Sequence, residues 1–283
     1  MTKKLKRPIL RYHGGKWLLA PWIISHFPDH KRYTEVFGGA GSVLLRKNRA
    51  YAEVYNDKWD TVVNVFRVMQ NPEKANELRR LLELTPYARA EFELCGESQI
   101  EILDSDIERA RRAIVRSYMG FGSASTNAEH STGFRANSDR SGSTPAHDWM
   151  TYPNHIDQFI NRLRGVILEK RDYWDVLQAH DGLKTLHYLD PTYVHETRNL
   201  KRGNAIYAFE MTDDDHRLMA ERIKTLKGMI VLSGYKCPLY QELFEDAGWE
   251  RFDKETHADG AKDRVESLWL NPAAIRARNT LFQ

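Results

Sequence analysis

The chain has 283 residues, enough for one large core or two modest ones. Hydrophobic residues make up 41% and charged residues 29%, the balance of an ordinary soluble globular protein, and no stretch is long and apolar enough to span a membrane. Two cysteines, Cys95 and Cys237, set aside a disulfide framework or a Cys-based zinc site and fit a reducing cytosol, while a net charge of +3 permits a nucleic-acid partner without requiring one.

The basic start, residues 1–7, has no apolar run behind it and so is no signal peptide; it reads as a solvated tail, with phosphate contact as the alternative. Arg11-Tyr12-His13-Gly14-Gly15-Lys16 follows. Residues 33–37 predict a strand, Gly38-Gly39-Ala40-Gly41-Ser42 a turn, and residues 43–47 a helical run. Strand, glycine turn, helix is the layout of nucleotide-type cofactor sites, because glycine lets a ligand approach the backbone and the helix start offers free N–H groups. The spacing is not G-x-G-x-x-G, so a dinucleotide is not indicated. Residues 52–57 predict a second strand ending in Asp57. That acid suits ribose hydroxyls, or equally the N-cap of a helix over 59–69 whose Val62, Val65, Phe66 and Met69 form a core-facing stripe.

Residues 71–117 are helical and charged in texture, with a basic helix around 109–116. Residues 120–147 turn polar and rich in glycine and serine, and so long a loop is functional or disordered. Arg111, Arg112, Arg116, Arg135, Arg140, Arg162 and Arg164 outnumber the nearby acids. Asn127, Asn137 and Ser138 have base-reading chemistry, and Phe121 and Phe134 could wedge into a duplex. The plainer alternative is a solvated loop with surface arginines. A helix over 156–163 and a strand over 166–169 come next, and α/β texture resumes from there. The stretch 71–165 is therefore an insertion in an α/β domain.

After Lys170-Arg171-Asp172-Tyr173, an apolar strand at 186–189 runs into Asp190-Pro191-Thr192-Tyr193. An acid, a proline carbonyl and an aromatic ring suit the grip of an exocyclic amine on a flat base: two acceptors for its hydrogens and a face for stacking. Alone, the string reads equally as a strand and a turn. A helix over 213–226 begins at the N-cap residue Thr212, with Asp213, Asp214 and Asp215 at the positive end of its dipole and Met219, Ile223 and Leu226 as its stripe. A strand over 229–233 and a hairpin from 249–252 to 265–270 complete the chain. His13, His187 and His195 lie near these motifs and read as structural.

Taken in order, these motifs resemble those of Dam-type (class D12) DNA adenine-N6 methyltransferases of bacteria and phages. The resemblance rests on Tyr12-His13-Gly14-Gly15-Lys16, on Glu35-Val36-Phe37-Gly38-Gly39-Ala40-Gly41-Ser42, on Asn56-Asp57, on Asp172-Tyr173 and on Asp190-Pro191-Thr192-Tyr193. It implies an α/β fold: a Rossmann-like S-adenosylmethionine-dependent sheet with a terminal antiparallel hairpin and an inserted, mostly helical DNA-recognition domain. The division would be 1–70 and 166–283 for catalysis and 71–165 for target recognition. The catalytic residues would be Asp190, Pro191 and Tyr193. Tyr12, Lys16, Phe37, Gly38, Gly39, Gly41, Asp57, Asp172 and Asp190 would surround S-adenosylmethionine, with Lys16 meeting its carboxylate or a phosphate unless it is an ordinary surface lysine. Arg116, Phe134, Arg135, Asn137 and Arg140 are the DNA-binding candidates. The implied partner is double-stranded DNA, met by a monomer without metal in bacterial or phage-infected cytoplasm, in a methylation or restriction–modification setting. Two positions depart from the family pattern: Thr192 replaces its second proline and Val36 the proline before Phe37. Two other readings stay open at this point. One is a methyltransferase for another planar amine, whether cytosine N4, RNA adenine or protein glutamine; the other is a DNA-binding relative that has lost catalysis.

Overall fold

The computed structural model describes residues 5–96, 100, 103–120, 133–137, 143–197, 209–257 and 263–279. In chain order its main elements are α1 (Ala20–Ser25), β1 (Arg32–Glu35), α2 (Ser42–Arg46), β2 (Ala52–Asn56), α3 (Asp60–Gln70), α4 (Pro72–Leu84), α5 (Arg89–Leu94), α6 (Asp106–Met119), α7 (Pro145–Met150) and α8 (Ile156–Leu163). They continue as β3 (Val166–Glu169), α9 (Tyr173–His180), β4 (Thr185–Leu189), α10 (Asp213–Ile223), β5 (Met229–Gly234), β6 (Glu250–His257), β7 (Asp263–Leu270) and α11 (Pro272–Asn279). Among the described residues no helix is long and apolar enough to cross a membrane.

The strands make one seven-stranded sheet in the order β3-β2-β1-β4-β5-β7-β6. β1 pairs in parallel with β2 and with β4, and β4 with β5, so these strands share a carboxyl end. β7 runs antiparallel to β5 and to β6, the terminal hairpin expected from the sequence. Every residue of β4 and of β5 is buried, as parallel strands covered on both faces require. The strand order reverses between β1 and β4, and a crevice at such a reversal is where open α/β sheets take their ligands.

Contacts divide the chain into two compact units: Met1–Ala20, Gly39–Arg46 and Trp59–Lys170, and Pro21–Gly38, Lys47–Lys58 and Arg171–Gln283. The second unit's core brings Val36, Val54, Leu189 and Leu232 together with Leu177, Met219, Ile223, Phe244 and Trp269. Each such side chain contributes roughly 1.5–3 kcal/mol by leaving water. α10 opens with a full capping box, the Thr212 hydroxyl accepting from Asp215 N–H while the Asp215 carboxylate accepts from Thr212 N–H. It stops at Ile223, short of the predicted Leu226. Thr225 and Leu226 N–H turn back to the carbonyls of Arg222 and Ile223 instead of continuing the helix.

The first unit is helical. α3 buries Val62, Val65, Phe66 and Met69, α4 Leu78 and Leu82, α6 Ala110 and Ile114, and α8 Phe159 and Leu163. Its N-terminal segment is strapped down. Tyr118 and Tyr152 donate their hydroxyls to the carbonyls of Pro8 and Ile9 at 2.6 and 2.9 Å. The Arg7 guanidinium lies over both of those rings and donates to the Asp148 carbonyl. Arg7 is therefore a docking residue, not part of the solvated tail the sequence suggested; residues 1–4 lie outside the described chain. The reason is tertiary, since the rings that capture it come from more than a hundred residues downstream.

Candidate active site

Asp190 follows β4, and Phe37 and Gly38 follow β1, at the carboxyl ends of two adjacent parallel strands of the second unit. The backbone at β1's end is pinned from β2. Gly38 N–H donates to the Asn56 carbonyl at 2.8 Å, and a Cβ on Gly38 would run into the Tyr55 ring, so no other residue fits there without a shift. The Asn56 side chain, 1% exposed, ties three segments together. Its amide nitrogen donates to the carbonyls of Val36 (2.9 Å) and Arg171 (3.1 Å), and its oxygen accepts from Arg171 N–H at 2.9 Å. One buried amide thus fixes the loop that carries Asp172 against the end of β1. Sequence reasoning missed this role, because nothing local to Asn56 announces partners 115 residues away.

Phe37 packs its ring 5.1 Å from that of Tyr173. Asp172 caps α9, its carboxylate accepting from Trp174 N–H at 3.0 Å. Asp57 is half-buried and directly follows β2. α3 starts at Asp60 with Trp59 in the N-cap position, and the Trp59 side chain makes no cap bond.

In the tetrapeptide itself Pro191 is buried and Asp190 half-buried. The Thr192 hydroxyl accepts from Met211 N–H at 3.0 Å, so the position that departs from the family's proline is tethered by a hydrogen bond. The Tyr193 hydroxyl donates to Glu266 Oε2 at 2.8 Å, and its ring stands edge-on to that of Tyr235. Burial, the Asp190 carboxylate and Glu266 all push the Tyr193 phenol well above its ordinary pKa, so it stays protonated and donates. Tyr188, buried in β4, is raised in the same direction by burial and by Asp190.

The remaining cofactor candidates belong to the first unit. Gly39 and Gly41 have φ of 48° and 61°, the left-handed region that glycine enters without strain. A Cβ on Gly39 would stand 3.0 Å from the Tyr12 ring, so the two are in close approach. The Tyr12 carbonyl accepts from Gly15 N–H in a tight turn. Lys16 is 6% exposed and donates to the Gly14 carbonyl at 2.8 Å, which rules out an ordinary surface lysine.

The DNA-binding candidates fall in a different setting from the one expected. Arg116 is 9% exposed and its guanidinium lies over the Phe92 ring at 4.4 Å. Arg135 is 8% exposed; its N–H donates to the Met119 carbonyl and its carbonyl accepts from the Tyr87 hydroxyl. Phe134 packs between Tyr87 and Phe92, with Arg89 over its ring. These residues fasten the 133–137 segment to the end of α6, where Phe134 bridges Gly120. Asn137 is exposed. Arg140, like Phe121, Asn127 and Ser138, lies outside the described residues. Other arginines of the expected basic stripe are engaged. Arg111 and Arg112 bond Glu108, Arg111 also meets Glu91, and Arg162 donates to the Leu44 carbonyl.

A family model described as D12 class N6 adenine-specific DNA methyltransferase matches residues 12–257, which is most of the chain. No curated protein matches it.

Proposed function

The chain belongs to the D12 class of N6 adenine-specific DNA methyltransferases, and from that premise we propose that it transfers a methyl group from S-adenosylmethionine to adenine N6 in a short duplex sequence, with the base flipped out of the helix. The observation that carries this reading is the placement of Asp190-Pro191 at the end of β4, beside the pinned end of β1 at the strand-order reversal.

The donor set fits that cofactor. A glycine that admits no Cβ follows β1, and acids follow β2 and precede α9, which suits a nucleoside with hydroxyl and amine donors. Phe37, Gly38, Asp57, Asp172 and Asp190 would hold it from the second unit. Motif order supports the same assignment for Tyr12, Lys16, Gly39 and Gly41. When bound, S-adenosylmethionine supplies a methyl group already activated by its sulfonium. The protein's part is orientation. Adenine N6 is a poor nucleophile because its lone pair leans into the ring. The Asp190 carboxylate and the Pro191 carbonyl accept its two hydrogens, turn the lone pair out of the ring and hold it in line, while Tyr193 stacks on the base. The amine is paired inside a duplex, so the base must leave the stack to reach these acceptors.

Residues 1–70 and 166–283 are the proposed catalytic part and 71–165 the target-recognition part, with the protein working as a monomer. Within the recognition part, the burial of Arg116 and Arg135 supports a supporting role for them. Phe134, Asn137 and Arg140 remain the proposed DNA contacts, with the exposed Asn137 suited to a base edge. The test is incubation with methyl-labelled S-adenosylmethionine and unmodified duplex DNA, RNA or protein, followed by nucleoside and peptide analysis. Label in N6-methyladenine of DNA is expected; label in cytosine, RNA or protein overturns the reading.

A further inference from the structure

The terminal hairpin contributes one side chain to the tetrapeptide after β4. Glu266 sits on β7, opposite Lys254 in the hairpin register, and its carboxylate takes the Tyr193 hydroxyl at 2.8 Å. Tyr235, just past the end of β5, meets the same ring edge-on, with centroids 4.6 Å apart and planes at 78°. A phenol held at its tip by an acceptor and along its side by another ring has lost both of its torsional freedoms. Burial and the neighbouring carboxylates keep the Tyr193 hydroxyl protonated, so the bond runs from phenol to carboxylate, the charge-assisted and stronger kind. Fixing this ring is of no use to the strand pairing of β6 and β7, which is complete without it from Glu250↔Leu270 to His257↔Asp263.

We propose that Glu266 is a positioning residue of the adenine pocket: by fixing the plane of Tyr193 it sets the face on which the target base stacks, and it makes the terminal hairpin a working part of the active site. Tyr235 is the second wall of the same clamp. This rests on the reading of Tyr193 as the stacking residue. In its absence the ring would turn about its torsions, and a base would stack in several orientations, few of which put N6 against the acceptors of Asp190 and Pro191. The loss would therefore fall on turnover and not on cofactor affinity.

Methyl transfer to unmodified duplex DNA, resolved into kcat and KM, with S-adenosylmethionine affinity by calorimetry and stability by urea, decides the matter. Glu266→Ala is expected to lower kcat roughly tenfold with cofactor affinity within about twofold of the parent. Glu266→Gln, which keeps an acceptor oxygen, should recover most of that loss. Tyr193→Phe should match Glu266→Ala, and the double variant should be no slower than either single one. Undiminished kcat in Glu266→Ala, additive losses in the double variant, or a loss of urea stability alone would overturn the proposal. Tyr193→Ala separates the two levels. If it loses transfer while Glu266→Ala keeps it, only the positioning role fails. If Tyr193→Ala itself turns over normally, the stacking role fails and the role of Glu266 with it.

Discussion

At the ends of β1, β2 and β4, the groups that matter are placed by backbone: a strand terminates, a glycine turns, and an acid or a proline stands at the tip. In the helical unit the groups that were expected to matter are long arginine side chains, and their destinations were set by whatever the fold brought within reach. Arg116 found the Phe92 ring, Arg7 the rings of Tyr118 and Tyr152, and Arg111 the carboxylates of Glu108 and Glu91. Short side chains on strand ends have little choice of place, so a motif there states its own geometry. An arginine spans several ångströms of apolar stem and keeps its charge wherever it goes, so its role is a tertiary fact.

The comparison predicts where damage will show. Asn56→Ala should have the largest effect on stability, about 3 kcal/mol, because it leaves the Val36 and Arg171 carbonyls and Arg171 N–H without their partner. It should also weaken S-adenosylmethionine binding roughly tenfold by releasing the loop that carries Asp172. Urea unfolding and calorimetry read the two effects, and a stable variant with normal affinity would break the claim that the strand ends are backbone-set. Arg116→Ala should cost about 2 kcal/mol in urea through lost packing and lost contact with the Phe92 ring, while DNA affinity of the folded variant changes little. A variant of full stability that binds DNA poorly would restore the reading of Arg116 as a DNA contact.

The smallest effect concerns pH. Burial holds His187 below its ordinary pKa, with Asp181 pulling the other way; its ring nitrogens meet Thr34 and Asp181. Burial would raise Asp181, but hydrogen bonds from His187 and from Lys227 and Gly228 N–H outweigh it and hold that carboxyl below its usual range. The unfolded chain binds the histidine proton more readily than the folded one. This contribution is therefore complete above about pH 6.5 and is lost as pH falls from there towards the folded value. The loss for Asp181 comes only in stronger acid. His187→Gln should accordingly flatten the fall in urea midpoint between about pH 7.5 and about pH 5.5. An unchanged slope would show that His187 does not titrate between the folded and unfolded states in that range.

Much of the fold was legible because its signals are local. The strand Val166–Glu169 and the helix Ile156–Leu163 fall where the apolar pattern put them, the Thr212 cap forms as its following acids suggested, and the terminal strands pair as a hairpin. The Asp190 tetrapeptide stands at a strand end as its flanking apolar run required. What was not legible depends on distant partners: the amide of Asn56, the tether of Thr192 to Met211, the hold of Glu266 on Tyr193, and the burial of Arg116 and Arg135. Residues 133–137 read as a polar loop because Phe134 and its ring partners Tyr87 and Phe92 are more than forty residues apart in the chain.

The most direct test of the account is the rate of N6-methyladenine formation by Asp190→Ala beside the parent protein, with S-adenosylmethionine and unmodified duplex DNA both saturating and DNA affinity measured in parallel. The account predicts a rate at least about a hundredfold lower with DNA affinity retained, because the carboxylate orients the amine and does not grip the backbone. A variant that methylates adenine at close to the parent rate would contradict it.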